Sequence, residues 1–163
     1  MRTLALGMLA ALALAAVAPR AAAFDARNPA DVLAVIQTDG ATGELKVDKG
    51  GAPWIDGKAG KLGFEVDFIG CDAQKANCKR ALYALAFDMS TITLAQINGW
   101  NRWTVLCPAY LTTANHPRVW FGFRPSHNDS AEDVKAQMDV WLGCMSDFDK
   151  FTDNPDLFLK SLE

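Results

Sequence analysis

The polar and apolar positions of this 163-residue chain change period several times, and each change marks an element. Asn28-Pro29-Ala-Asp31 combines a capping side chain, proline at the first helical position and an acid in the first turn. With Val32, Leu33 and Ile36 on one face behind it, it predicts a short helix ending near Gly40. From Gly43 the period falls to two: Leu45 and Val47, then Trp54 and Ile55, flank the glycine-bearing hairpin signal Asp48-Lys-Gly-Gly51. Leu62, Phe64, Val66 and Phe68 alternate with Gly63, Glu65 and Asp67, so these three strands are expected to form an antiparallel meander.

Ala81 to Phe87 is apolar at every position, the pattern of a central strand buried on both faces. Thr93-Leu-Ala-Gln96 is a capping box opening a short helix that carries Leu94, Ile97 and Trp100. Trp103 to Leu111 and Arg118 to Phe123 read as two more strands, joined by the turn Thr113-Ala-Asn-His-Pro117. Ser130-Ala-Glu-Asp133 caps a long helix whose inner face is Val134, Met138, Trp141, Met145 and Phe148. The tail Asp153 to Glu163, after Asn154-Pro155, reads as a loosely attached final helix. The order α-β-β-β-β-α-β-β-α predicts an α+β fold with a five- to six-stranded antiparallel sheet packed against helices.

The N-terminus has a different character. Arg2 precedes an uncharged run from Thr3 to Ala18, then Pro19-Arg20 and Ala21-Ala22-Ala23, the layout of a secretory signal peptide cleaved after Ala23. As a helix, that run spans about 24 Å, short of a hydrocarbon core of roughly 30 Å. Residues 24–163 are then expected to form one exported domain, periplasmic or secreted, with its core in 28–150 and a tail in 151–163. The first cysteine is Cys71, so no lipid attachment site adjoins the cleavage point. The net charge of −3 becomes −5 without Arg2 and Arg20, and the basic residues are scattered, which argues against nucleic-acid and anionic-membrane surfaces.

In an oxidising compartment paired cysteines crosslink. Cys71 and Cys78 flank a short polar loop, and closing it would stabilise the fold by about 2.5 kcal/mol. The spacing does not fit zinc, and His116 and His127 stand alone in polar loops. Cys107, in a strand-like run, and Cys144, in a helical one, either form a second bridge or sit in the core as small hydrophobes.

Chemistry is harder to find. Gly57-Lys-Ala-Gly60-Lys61 lacks the leading glycine and the trailing hydroxyl of a phosphate loop and reads as a turn. Ser130 and Ser146 have no nucleophile context, and Asp67 with Glu65, or Asp147 with Asp149, read as solvated acids. Asn128-Asp-Ser130 matches a glycosylation sequon on a residue better used as a helix cap. No catalytic residue, cofactor site or metal site is indicated, and an enzyme is not expected. Aromatic side chains are the remaining candidates: Trp100 and Trp103 are either core or an exposed contact, and Asn98 and Asn101 either bond open backbone groups or recognise a ligand.

The segment Phe64-Glu-Val-Asp-Phe-Ile-Gly-Cys-Asp72, the second Cys78, the apolar strand to Phe87, Ile97-Asn-Gly-Trp-Asn101 and Ala109-Tyr-Leu111 together resemble the YbjN family, described as bacterial sensory transduction regulators. The resemblance implies a fold like that of type III secretion chaperones and carries no catalytic residues. Two segments depart from the family: Cys107-Pro108 stands where Gly-Arg is common, and Pro125 to Ser130 replaces a glycine-rich stretch. The expected function is a non-enzymatic, exported, chaperone-like or regulatory interaction module. Asn98, Trp100, Asn101, Trp103 and Tyr110 are its candidate partner-binding residues, with a protein or peptide, or a second copy of the chain, as partner. A periplasmic small-ligand binding protein is the alternative, and it calls for a closed apolar pocket.

Overall fold

The computed structural model of the protein describes residues 23–89 and 91–163; the expected signal peptide falls almost wholly on 1–22 and lies outside them. The elements run α1 (Pro29–Thr38), β1 (Thr42–Val47), β2 (Pro53–Ala59), β3 (Leu62–Ile69), β4 (Arg80–Ala86), α2 (Leu94–Trp103), β5 (Ala109–Leu111), β6 (Pro117–Phe123), α3 (Ala131–Asp153) and α4 (Pro155–Lys160). The fold is α+β, with one six-stranded antiparallel sheet in the order β1-β2-β3-β4-β6-β5.

Local chemistry explains the boundaries. The Asn28 side chain accepts from the Ala30 amide at 3.2 Å and starts α1. Both expected capping boxes form, Thr93 with Gln96 and Ser130 with Asp133. Gly57 to Lys61 is the end of β2 and a two-residue hairpin, with Ala59 paired to Leu62 and Gly60 at a φ of +57°. Gly57 itself lies under the ring of its cross-strand partner Phe64, where any side chain would collide.

Alternation places Ile55, Phe64, Val66, Tyr83, Val119 and Phe121 on one face, and the helices cover it. Helix α3 buries Val134, Met138, Trp141, Met145 and Phe148, as its periodicity predicts, and continues to Phe151. Trp141 meets Phe64 edge-on at 6.2 Å and Tyr83 at 5.8 Å, so the centre of the core is aromatic. The Tyr83 hydroxyl and Trp141 Nε1 lie there without a protein hydrogen-bond partner, and burial pushes the Tyr83 phenol well above its ordinary range.

Three expectations need correcting. Strand β4 is covered by helices on one face only: Ala81, Tyr83 and Leu85 face the core, while Leu82, Ala84 and Ala86 face outward. Ala84 is nonetheless 2% exposed, because Glu65 and Trp120 stand on the strands either side of it. The run from Trp103 to Leu111 is not one strand: α2 extends through Trp103, a loop follows, and only Ala109–Leu111 pairs with β6. The tail is also docked, since Phe158 of α4 stacks on Trp100 at 5.6 Å and Leu159 packs against Gly99.

Both cysteine pairs are disulfides. Cys71–Cys78 joins the end of β3 to the start of β4, and Cys107–Cys144 ties the loop after α2 to α3. Two such bonds point to an oxidising, exported setting. No described helix is long and apolar enough to cross a membrane.

Candidate functional site

The Asn-x-Trp-Asn element is built into the frame. Trp100 is fully buried, its Nε1 donates to the Cys107 carbonyl at 2.8 Å, and its ring meets Phe148 and Phe151 at 5.0 and 5.2 Å. Asn101 brackets one residue of β5: its Oδ1 accepts from the Ala109 amide at 2.8 Å and its Nδ2 donates to the Ala109 carbonyl at 3.0 Å. A single side chain thereby imitates a strand partner and fixes the loop between α2 and β5. Of the alternatives open to these two residues, both take the structural one.

Asn101 is nonetheless exposed on its outer side, and the other three candidates reach solvent as well. Asn98 is exposed on α2, and Trp103 and Tyr110 are 48% and 44% exposed. Beyond Trp103, Val105 and Leu106 are held out by a loop whose far end is fixed by the Cys107–Cys144 bond. Tyr110 sits on the outer face of β5, opposite Arg118.

That outer face of the sheet is where the structure gathers chemistry. Arg118, Trp120 and Gly122 alternate outward along β6 while Val119, Phe121 and Phe123 turn inward. Small residues at Ala84 and Gly122 lower the floor between taller neighbours, and a groove of about 480 Å³ opens there. Leu82, Tyr110 and Trp120 supply its apolar walls, and Arg80, Arg118 and Arg124 its charge; no acidic side chain lines it. A second depression of about 350 Å³ adjoins it across Ala84 and Arg118, reaching Trp54, Asp56 and Glu65. Arg118 donates to Glu65 at the junction.

Arg80 and Arg124 differ from Arg118. They stand on neighbouring strands, one step beyond the paired residues Ala81 and Phe123, and no described carboxylate lies within ion-pair distance of either. Elsewhere on the same face the balance is acidic. Asp67 lies cross-strand from Leu82, and its carboxyl is held above the usual range, first by burial and then by the charge of Asp48.

Among the described residues no group of three or more His, Cys, Asp or Glu side chains could hold a metal ion. Ser130 is consumed by its capping box. His116 lies near Asp88, with Nε2 to Oδ1 3.2 Å, on an exposed turn. Sequence reasoning reached Tyr110 but missed Arg80, Arg118, Trp120 and Arg124. The available signal was the outward set of β6, where an arginine, a tryptophan and a glycine replace the small polar residues usual on a solvated sheet face. Comparison of the chain with family models, curated proteins and solved structures gives no match.

Proposed function

We propose that this protein is a non-enzymatic, exported interaction module, chaperone-like or regulatory in role, that binds a polypeptide on the uncovered face of its sheet. The observation that carries this reading is the asymmetry of the sheet: helices cover one face, and the other presents Trp120 and Tyr110 beside arginines in a concave groove. Aromatic residues and arginine are the types enriched where proteins bind one another. The YbjN-like segments, and a layout of helices on one face of an antiparallel sheet, support kinship with chaperone-like folds, and the two disulfides support an exported setting.

The small-ligand alternative calls for an enclosed apolar pocket. The groove is a concave depression on the sheet face and not an enclosed cavity, which favours a chain segment over an engulfed small molecule.

The test is site-specific photo-crosslinking of the exported full chain, with an aromatic photo-reactive amino acid in place of Tyr110 in the groove or at position 105 in the exposed loop. The reading expects a discrete crosslinked polypeptide from at least one position, lost when excess unlabelled protein competes. Absence of any competed adduct from both positions overturns it.

A further inference from the structure

We propose that the groove takes an acidic segment of a partner polypeptide, with a large apolar side chain seated beside Trp120 over Gly122 and carboxylates meeting Arg80 and Arg124 at one end and Arg118 at the other. The proposal rests on the interaction-module reading and adds to it the chemistry of the partner.

Charge is the first argument. The chain is acidic, at −3 overall, yet the groove lining holds three arginines and no acid. Arg118 is answered by Glu65, whereas Arg80 and Arg124 are unanswered neighbours at the end of adjacent strands. Like charges side by side on a sheet destabilise it, and a carboxylate between them removes the repulsion. Guanidinium groups favour carboxylates in particular, because their paired N–H donors match the two oxygens.

Shape is the second. Trp120 is 37% exposed on an outward sheet face, and Gly122 beside it leaves a gap bounded by Leu82 Cδ1 and Trp120 Cζ3. An apolar side chain inserted there would touch both walls. Arg118 on β6 and Arg124 just past its end are six residues apart, about 20 Å at the strand rise, so the groove suits about six extended residues with charges toward the ends and an apolar centre.

The surroundings exclude a long polyanion. Asp56 and Glu65 line the adjoining depression, so a nucleic-acid backbone continuing across the sheet would be repelled where a short segment is not.

The experiment is fluorescence anisotropy on the oxidised, exported full chain with three fluorescein-labelled hexapeptides: Asp-Glu-Leu-Phe-Leu-Asp, its amide counterpart Asn-Gln-Leu-Phe-Leu-Asn and its lysine counterpart Lys-Lys-Leu-Phe-Leu-Lys. The acidic peptide should bind roughly tenfold or more tightly than the amide, and more weakly as salt is raised. The double variant Arg80→Glu/Arg124→Glu should weaken it by roughly tenfold or more with unchanged melting temperature. Gly122→Val should do the same by filling the gap, since its Cβ meets the Leu82 and Trp120 side chains at 3.2 and 3.5 Å and the Ala81 carbonyl oxygen only at an ordinary 3.7 Å. Equal binding of the acidic and amide peptides, no saturable binding of the acidic one, or binding indifferent to both variants overturns the proposal. Self-association in light scattering that the arginine variant abolishes also overturns it, because a second copy then covers the groove. A competed crosslink from position 105 but not 110 removes this proposal and leaves the interaction-module reading standing, whereas none from either removes both.

Discussion

Replacing Asn101 with alanine removes the two hydrogen bonds that hold Ala109, at 2.8 and 3.0 Å, and leaves the amide and carbonyl of a residue only 6% exposed without their partner side chain. At about 0.5–1.5 kcal/mol net per bond, the expected loss is about 1–3 kcal/mol. For a domain of this size that lowers the melting temperature by roughly 3–10 °C. Asn98→Ala is the internal control: Asn98 is exposed on the same helix, and its truncation should stay within about 0.5 kcal/mol of the parent. Thermal unfolding followed by circular dichroism, with urea midpoints for the free energies, measures both under oxidising conditions. Equal effects of the two substitutions would refute the view that Asn101 is a strut between α2 and β5.

Three further outcomes are expected. Gly57→Ala puts a methyl within 2.9 Å of the Phe64 ring and should destabilise by about 1–3 kcal/mol in urea titration, whereas Gly63→Ala, whose nearest contact is a backbone oxygen at 3.9 Å, should not. Tyr83→Phe removes a buried hydroxyl that has no protein partner, so stability should hold or rise by about 1 kcal/mol; a loss of that size would show the hydroxyl to be bonded. Asp67 has a folded pKa above its ordinary 3.8, so its ionisation opposes folding and stability falls as pH rises through the raised value. Asp67→Asn should therefore raise the melting temperature at about pH 7, with the gain vanishing below the ordinary carboxylate pKa, and no gain at neutral pH would refute the assignment.

The long helix and the meander were legible because their signals are local. Ser130 and Asp133 announce α3, the apolar set from Val134 to Phe148 keeps one helical face, and Phe64, Val66 and Phe68 keep one strand face. The stretch after Trp100 was misread because Trp103, Val105 and Leu106 have strand-like character. What decides their conformation is distant in sequence: Cys144 on α3 holds Cys107, and Asn101 holds Ala109. Strand β4 was misread for a related reason. Apolar residues at every position look the same whether the second face meets helices or forms the floor of a groove, and only the register of β4 with β6 sets Ala84 beside Trp120 and Leu82 beside Gly122. The groove itself is assembled from β3, β4, β5 and β6, so no single window of the chain contains it.

The five tryptophans provide the most direct measurement of the central claim, because their indole N–H signals report separately on core and surface. Trp100 and Trp141 are fully buried, Trp103 is exposed at the end of α2, and Trp120 stands in the groove. In nitrogen-15 NMR of the oxidised protein, titration with the acidic hexapeptide should shift the Trp120 indole and the Arg80 and Arg124 Nε signals while Trp100 and Trp141 stay fixed. Shifts confined to Trp103, or none at saturating peptide, would contradict the account.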